Sequence, residues 1–215
     1  MKYILFDLDG TLTDPKVGIT KSVQYALKAF HIDEPDLDAL CKYIGPPLRT
    51  SFIEYQGFSE TQAEEALVKY REYFGDTGIF ENEVYDGIKE LLTKLQKAGK
   101  SLIVATSKPE IFARRILEHF ELESYFTDVC GATMDNSRGT KEEVIRYAFE
   151  KNHITDHSLA VMVGDRLHDI EGAKKVGIAS VGVLYGFGSR EELEKAGADK
   201  IAETVQELYE VIMNL

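Results

Sequence analysis

"YILFDLDGTLTD", residues 3–14, governs how the rest of the chain is read. An apolar run stops at Asp7, a second acid follows at Asp9, and Gly10 and Thr11 come next. Continuous rather than alternating apolar character marks a strand buried on both faces, as in a parallel sheet. Two further runs share the pattern, "SLIVAT" at 101–106 and "LAVMVG" at 159–164, and each leads into a polar residue, Thr106 and Asp165. A weaker fourth run is "IASVGVL" at 178–184. Amphipathic segments lie between them, at 86–98 ending at Gly99, at 109–119 opening near Pro109, and at 140–152 opening at Thr140. Strand and helix alternate, which predicts an α/β fold with a doubly wound parallel sheet of Rossmann-like type.

Residues 15–83 break the alternation. Candidate helices cover 16–30, 36–43, 47–55 and 60–74, punctuated by Pro35, Pro46, Pro47 and Gly57, with no strand run among them. Two domains are therefore expected: an α/β core from residues 1–14 and 84–215, and an inserted helical cap from 15–83. An insertion after a strand that ends in acids is expected over the carboxyl edge of the sheet, where open α/β folds bind ligands.

The bulk properties limit the partners. With 37 acidic against 25 basic residues the net charge is −12. Such a balance repels a phosphate backbone or an anionic membrane over any long contact, so no nucleic-acid polymer and no membrane is expected as partner. A small anion still binds where a cation and a few basic side chains reverse the field locally. Cys41 and Cys130 fit neither a disulfide framework nor a metal-ligand spacing. The first apolar run is too short for a signal peptide and no run reaches the length of a membrane span, so a cytoplasmic location is expected, as monomer or homodimer.

Asp7 and Asp9, in extended geometry, project to one face and crowd two carboxylates together, an arrangement that a cation relieves. "GDRLHD" adds Asp165 directly after the strand and Asp169 four residues on, one helical turn away. A single acid at a strand end reads as a turn former or helix cap. Two such pairs after two buried strands read as an all-oxygen site suited to Mg²⁺. Lys141 follows Thr140, a candidate N-cap with Glu143 three residues on, and a cation in a first helical turn suits an anionic partner, although a solvated lysine fits the same pattern. Thr106 and Ser107 at a strand-to-helix junction can hold a phosphate oxygen, or Ser107 can simply cap the following helix. Arg49, after a Pro-Pro turn, reads equally as a substrate contact or a surface arginine. Tyr185 and Phe187 read either as pocket lining or as sheet packing.

Taken together, these segments closely resemble the haloacid dehalogenase-like hydrolases, in particular their phosphatase branch. "DLDGT" is similar to that family's nucleophile motif, "VATS" to its phosphate-binding motif, Lys141 to its lysine and "GDRLHD" to its closing acidic motif, in that order along the chain. "GITKSVQYAL", "IGPPLRTSF" and "GVLYGFGSREELEKAGAD" further resemble phosphoglycolate phosphatase-like members, including bacterial 5′-nucleotidases. The resemblance implies a Mg²⁺-dependent phosphatase acting on a small phosphorylated metabolite such as a nucleoside 5′-monophosphate or phosphoglycolate. Asp7 would be the nucleophile that becomes an aspartyl-phosphate, and also a metal ligand. Asp9 would be the general acid and base, with its backbone carbonyl on the metal. Thr106, Ser107 and Lys141 would bind the phosphoryl group, with Arg49 as a cap contact. Asp165 would bind the metal directly, and Asp169 would act through its water shell or orient neighbours. An acid at position 9 favours phosphate esters over carbon–halogen bonds, because a halide needs no proton to leave. Many relatives carry proline after the lysine, whereas this chain has "TKEEV", which leaves Lys108 in "SKP" as a conceivable substitute. The rival readings are a sugar-phosphate mutase of the same superfamily and, from another class, a phospho-accepting receiver domain.

Overall fold

The computed structural model describes residues 1–135 and 137–215, and the chain forms two compact units, Met1–Asp14 with Val84–Leu215, and Pro15–Glu83. The first unit is built on a six-stranded sheet. Its strands are β1 (Tyr3–Phe6), β2 (Ser101–Pro109), β3 (Asp128–Ala132), β4 (Ala160–Gly164), β5 (Ala179–Val183) and β6 (Lys200–Ala202). The spatial order is β3-β2-β1-β4-β5-β6 and every pairing is parallel. In that order the sheet reverses direction between β1 and β4, the place where doubly wound sheets open a crevice for ligands. The register is level there, since Phe6 pairs with both Val104 and Val163. Whatever follows β1, β2 and β4 consequently emerges at one edge.

The sheet is covered on both faces, which is why its strands are apolar throughout. Leu5, Ile103, Ala105, Cys130 and Met162 form one core with Val144, Ile145, Ala148 and Phe149 of α6 (Lys141–Lys151) and Ala173 and Val176 of α7 (Leu167–Val176). The alternate strand residues Ile4, Phe6, Leu102, Val104, Val161 and Val163 are equally buried. Two other helices of the unit, Ile88–Lys97 and Val205–Met213, pack on each other and on the sheet, burying Leu91, Leu92, Leu95, Leu208 and Ile212.

The second unit is helical, with helices at Lys16–Ala29, Leu48–Gln56 and Glu60–Asp76. The expected helix at 36–43 is a short 3₁₀ segment, Asp38–Tyr43. Its core gathers Val23, Leu27, Tyr43, Phe52, Ala66, Tyr70 and Phe74, with Phe58 stacked on Phe52. Gly57 ends the second helix in the left-handed conformation, and Ser59 with Gln62 forms the capping box that starts the next. Among the described residues no helix is long and apolar enough to cross a membrane.

Candidate active site

Each acidic loop begins where a buried strand runs out. β1 stops at Phe6, and the Asp7 backbone N–H donates to Val163 O at 2.9 Å, which tethers Asp7 just past the strand end. Gly10 then turns with φ 79°, a conformation that favours glycine, and closes the loop by donating to Thr13 O. A Cβ on Gly10 would lie 2.3 Å from Asp165 Oδ2, so the first loop approaches the loop after β4 as closely as a backbone can. Asp7, Asp9, Thr106, Lys108, Lys141, Asp165 and Asp169 are all buried.

The acids divide between two lysines. Lys141 Nζ lies 2.8 Å from Asp7 Oδ1 and 2.8 Å from Asp169 Oδ1, and donates to Ala105 O at 3.1 Å. Lys141 reaches them from the first turn of α6, whose Thr140–Glu143 capping box is formed as the spacing predicts. Lys108 Nζ lies 2.8 Å from Asp9 Oδ2. The two carboxylates of the first loop are thus held by different lysines, while the Asp7 charge still helps to raise Asp9. The strand has ended before them, and each turns to its own cation.

Lys108 reaches Asp9 because β2 is irregular. Its pairing with β3 shifts register between Thr106 and Pro109, which buries Lys108 together with Thr106 and leaves Ser107 half-buried. The Thr106 hydroxyl accepts from the Lys108 backbone N–H at 3.2 Å. The sequence reading treats Lys108 and Lys141 as alternatives for one position. In the structure both are used. The sequence signal for the second is the "SKP" that places Lys108 before Pro109 at the end of an apolar run.

Among the described residues Asp165 is the acid of this group that meets no lysine. Its Oδ2 accepts from the Phe187 backbone N–H at 2.8 Å, and its Oδ1 lies 3.5 Å from the Thr11 hydroxyl, which donates to it. Asp169, in the first turn of α7, accepts from Arg166 N at 3.1 Å. A Cβ on Gly164 would stand 2.1 Å from Asp169 Cγ, so the end of β4 leaves room only for hydrogen there.

Burial dominates the electrostatics. It pushes the Asp165 carboxyl well above the ordinary range, and the neighbouring Asp169 and Asp7 add to the rise. Burial likewise pushes Asp169 up to about 6, against the opposing pull of Lys141. Asp9 is also raised by burial, although Lys108 draws it back. Burial alone would lower Lys141, but Asp169 and Asp7 more than reverse this and hold it protonated.

A ligand oxygen from each of Asp7, Asp165 and Asp169 falls within 4.8 Å of the others. Three buried carboxylates, only two of which meet Lys141, leave negative charge uncompensated, and every donor is a hard oxygen. That donor set fits a hard divalent cation. Asp169 sits inside this carboxylate cluster, whereas the Asp9 carboxylate pairs with Lys108.

Residues 4–183 match the family described as haloacid dehalogenase-like hydrolase. This chain belongs to that family. Among its relatives is a 5′-nucleotidase of Pseudomonas aeruginosa, 52% identical over 191 residues that make up 88% of this chain and 86% of that one. The tyrosine-protein kinase PtkA of Mycobacterium tuberculosis is 41% identical over 211 residues, 97% of this chain and 72% of that one. A crystal structure of a predicted phosphatase from Clostridium acetobutylicum superposes with a TM-score of 0.98 at 52% identity, covering 100% of this chain and 99% of the other.

In this dehalogenase-like hydrolase the α/β unit holds every acid, lysine and threonine singled out from the sequence. Arg49 belongs to the helical unit, where its guanidinium is engaged by Glu60 and Glu64 of the following helix. The Tyr185 hydroxyl donates to Thr11 O at 3.0 Å.

Proposed function

We propose that this hydrolase is a cytoplasmic Mg²⁺-dependent phosphatase that removes phosphate from small phosphomonoesters through an aspartyl-phosphate on Asp7. The observation that carries the reading is the separation of two neighbouring carboxylates onto two different lysines. Neighbouring carboxylates held by different partners are suited to different chemical roles. Among the described residues, Asp7 Oδ1 takes both the Lys141 ammonium and the Leu8 backbone N–H, at 2.8 Å each, which leaves Oδ2 to attack phosphorus. Asp9 is raised by burial, and its Oδ1 is buried without a hydrogen-bond partner. A carboxyl held that way can keep a proton for the leaving oxygen.

The steps follow from those two residues. Asp7 Oδ2 forms a bond to phosphorus as the ester oxygen departs with the proton of Asp9. The Asp9 carboxylate then takes a proton from water, whose oxygen attacks the phosphorus of the aspartyl-phosphate. Inorganic phosphate leaves and Asp7 is regenerated. Thr106 offers its hydroxyl hydrogen, and Lys141 its charge, to the phosphoryl oxygens. Asp7, Asp165 and Asp169 would hold Mg²⁺, which when bound supplies neutralisation of charge on the transferring group. Phosphoryl transfer needs little beyond such positioning and charge.

Nucleoside 5′-monophosphates and phosphoglycolate head the substrate classes, in keeping with relatives named 5′-nucleotidase and phosphoglycolate phosphatase. Phosphate release across a panel of phosphorylated metabolites tests the reading. Release should vanish in Asp7→Asn and on chelation of divalent metal. Activity that survives either change contradicts it. Because one relative carries the name of a kinase, a second arm follows labelled ATP with a tyrosine peptide. Label recovered as free phosphate fits a phosphatase, whereas label on the peptide does not. An isomerised sugar phosphate without net release would instead indicate a mutase.

A further inference from the structure

The segment "LYGFGS", residues 184–189, follows β5 and carries no acid, lysine or general base, and the reaction outlined above gives it no part. It nevertheless reaches both acidic loops of the α/β unit. The Tyr185 hydroxyl donates to Thr11 O at 3.0 Å, which ties it to the loop that bears Asp7 and Asp9. Two residues later the Phe187 backbone N–H donates to Asp165 Oδ2 at 2.8 Å. Between and after them stand two glycines with no room for a side chain. A Cβ on Gly186 would lie 2.3 Å from Gly10 O and 2.4 Å from Asp165 Cβ, and one on Gly188 would lie 1.8 Å from the Asp165 carbonyl oxygen. Neither glycine adopts the left-handed backbone, so the requirement at both is for space rather than for conformational freedom. The Tyr185 ring is braced in turn by Tyr85, edge to face with centroids 5.1 Å apart.

We propose that residues 185–188 form a positioning clamp that fixes the Asp165 carboxylate against the Asp7–Thr11 loop, with Tyr185 and Gly188 as positioning residues for the cation-binding carboxylates. The physical need is plain. Asp7 and Asp165 come from different strands and repel each other, and neither loop by itself sets the distance between them. A third loop bonded to both does. One oxygen of Asp165 is spent on the Phe187 N–H, which fixes the direction in which the other faces. Partners that orient a metal-binding carboxylate without touching the metal commonly govern affinity by about 10- to 100-fold.

The clamp rests on the assignment of Asp7, Asp165 and Asp169 as cation ligands, and the experiment separates the two claims. Calorimetric titration with Mg²⁺ of the wild type, Tyr185→Phe and Gly188→Ala is combined with kcat and KM for p-nitrophenyl phosphate at low and saturating Mg²⁺. Tyr185→Phe keeps the ring against Tyr85 and removes only the bond to Thr11. It should bind Mg²⁺ about tenfold more weakly, lose turnover at low Mg²⁺ and regain most of it at saturation, with KM for substrate changed less than about twofold. Gly188→Ala should weaken Mg²⁺ binding further, and if it fails to fold Tyr185→Phe decides alone. A Tyr185→Phe protein with a native circular dichroism spectrum and wild-type Mg²⁺ affinity overturns the clamp. Wild-type protein that binds no Mg²⁺ overturns the ligand assignment and the clamp with it.

Discussion

Replacing Asp165 by asparagine should make the metal-free protein more stable, although the same change should abolish its activity. Asp165 is fully buried, faces Asp7 and Asp169, and among the described residues receives a backbone N–H and a hydroxyl but no lysine. Burial and those two carboxylates hold its carboxyl well above the ordinary range. A carboxyl raised in the folded state binds its proton more tightly there than in the unfolded chain. Stability is then lost as pH rises from the ordinary carboxylate range through the folded value, and the loss is complete above it. Asparagine keeps the acceptor oxygen for Phe187 N–H and removes the charge. Relief of such a functional-site penalty is worth about 1–2 kcal/mol, which for a chain of this size is about 2–8 °C in Tm. Differential scanning calorimetry in a chelator should show that rise at pH 7.5 and little difference near pH 4, where the wild-type carboxyl is already neutral. Added Mg²⁺ should raise the wild-type Tm at pH 7.5 and leave Asp165→Asn nearly unmoved. A lower Tm for the variant in chelator at pH 7.5, or an undiminished Mg²⁺ shift in it, would refute the reasoning.

Three further outcomes follow from single contacts. Lys108→Met removes the cation 2.8 Å from Asp9, which now opposes the effect of burial. The Asp9 carboxyl should rise further, so both limbs of the pH–rate profile should move to higher pH while kcat falls about 10²-fold, and an unmoved or acid-shifted profile argues against Asp9 as acid and base. Gly164→Ala places a Cβ where Asp169 Cγ is now 2.1 Å away, and displacing that carboxylate should cost about 10²-fold in kcat, which a steady-state phosphate assay would read. The Cys130 thiol is buried and pushed up to about 12, mainly by that burial, whereas Cys41 is half-buried, so a thiol reagent at pH 8 should titrate Cys41 readily and Cys130 only after unfolding.

Much of this arrangement is legible in the chain itself, and what is not has physical causes. Strands β1, β2, β4 and β5 announce themselves because both faces are covered and almost every residue must be apolar. β3, "DVCGA", carries no such run, and its strand identity comes from pairing with β2, Val104 against Val129 and Ala105 against Cys130. β6 is three residues at the sheet edge, held by Gly182 and Val183 of β5 opposite Ile201 and Ala202. The last helix has its sequence signal in Thr204, whose hydroxyl accepts from Glu207 N three residues on. In the site, motif order indicates which acids matter but not how they are apportioned between cations. That apportionment depends on β1 ending before Asp7 and on the irregularity of β2 that buries Lys108, neither of which alternation along the sequence reveals.

The central claim is that Asp7 itself carries the phosphoryl group between substrate and water. Turnover quenched in acid, reduced with borohydride and mapped by peptide mass spectrometry tests it directly, because reduction converts an aspartyl-phosphate to homoserine. Homoserine at position 7, absent without substrate and absent in Asp7→Asn, is the predicted result. Reduction at another acid, or an unaltered position 7 in protein caught during steady turnover, would contradict it.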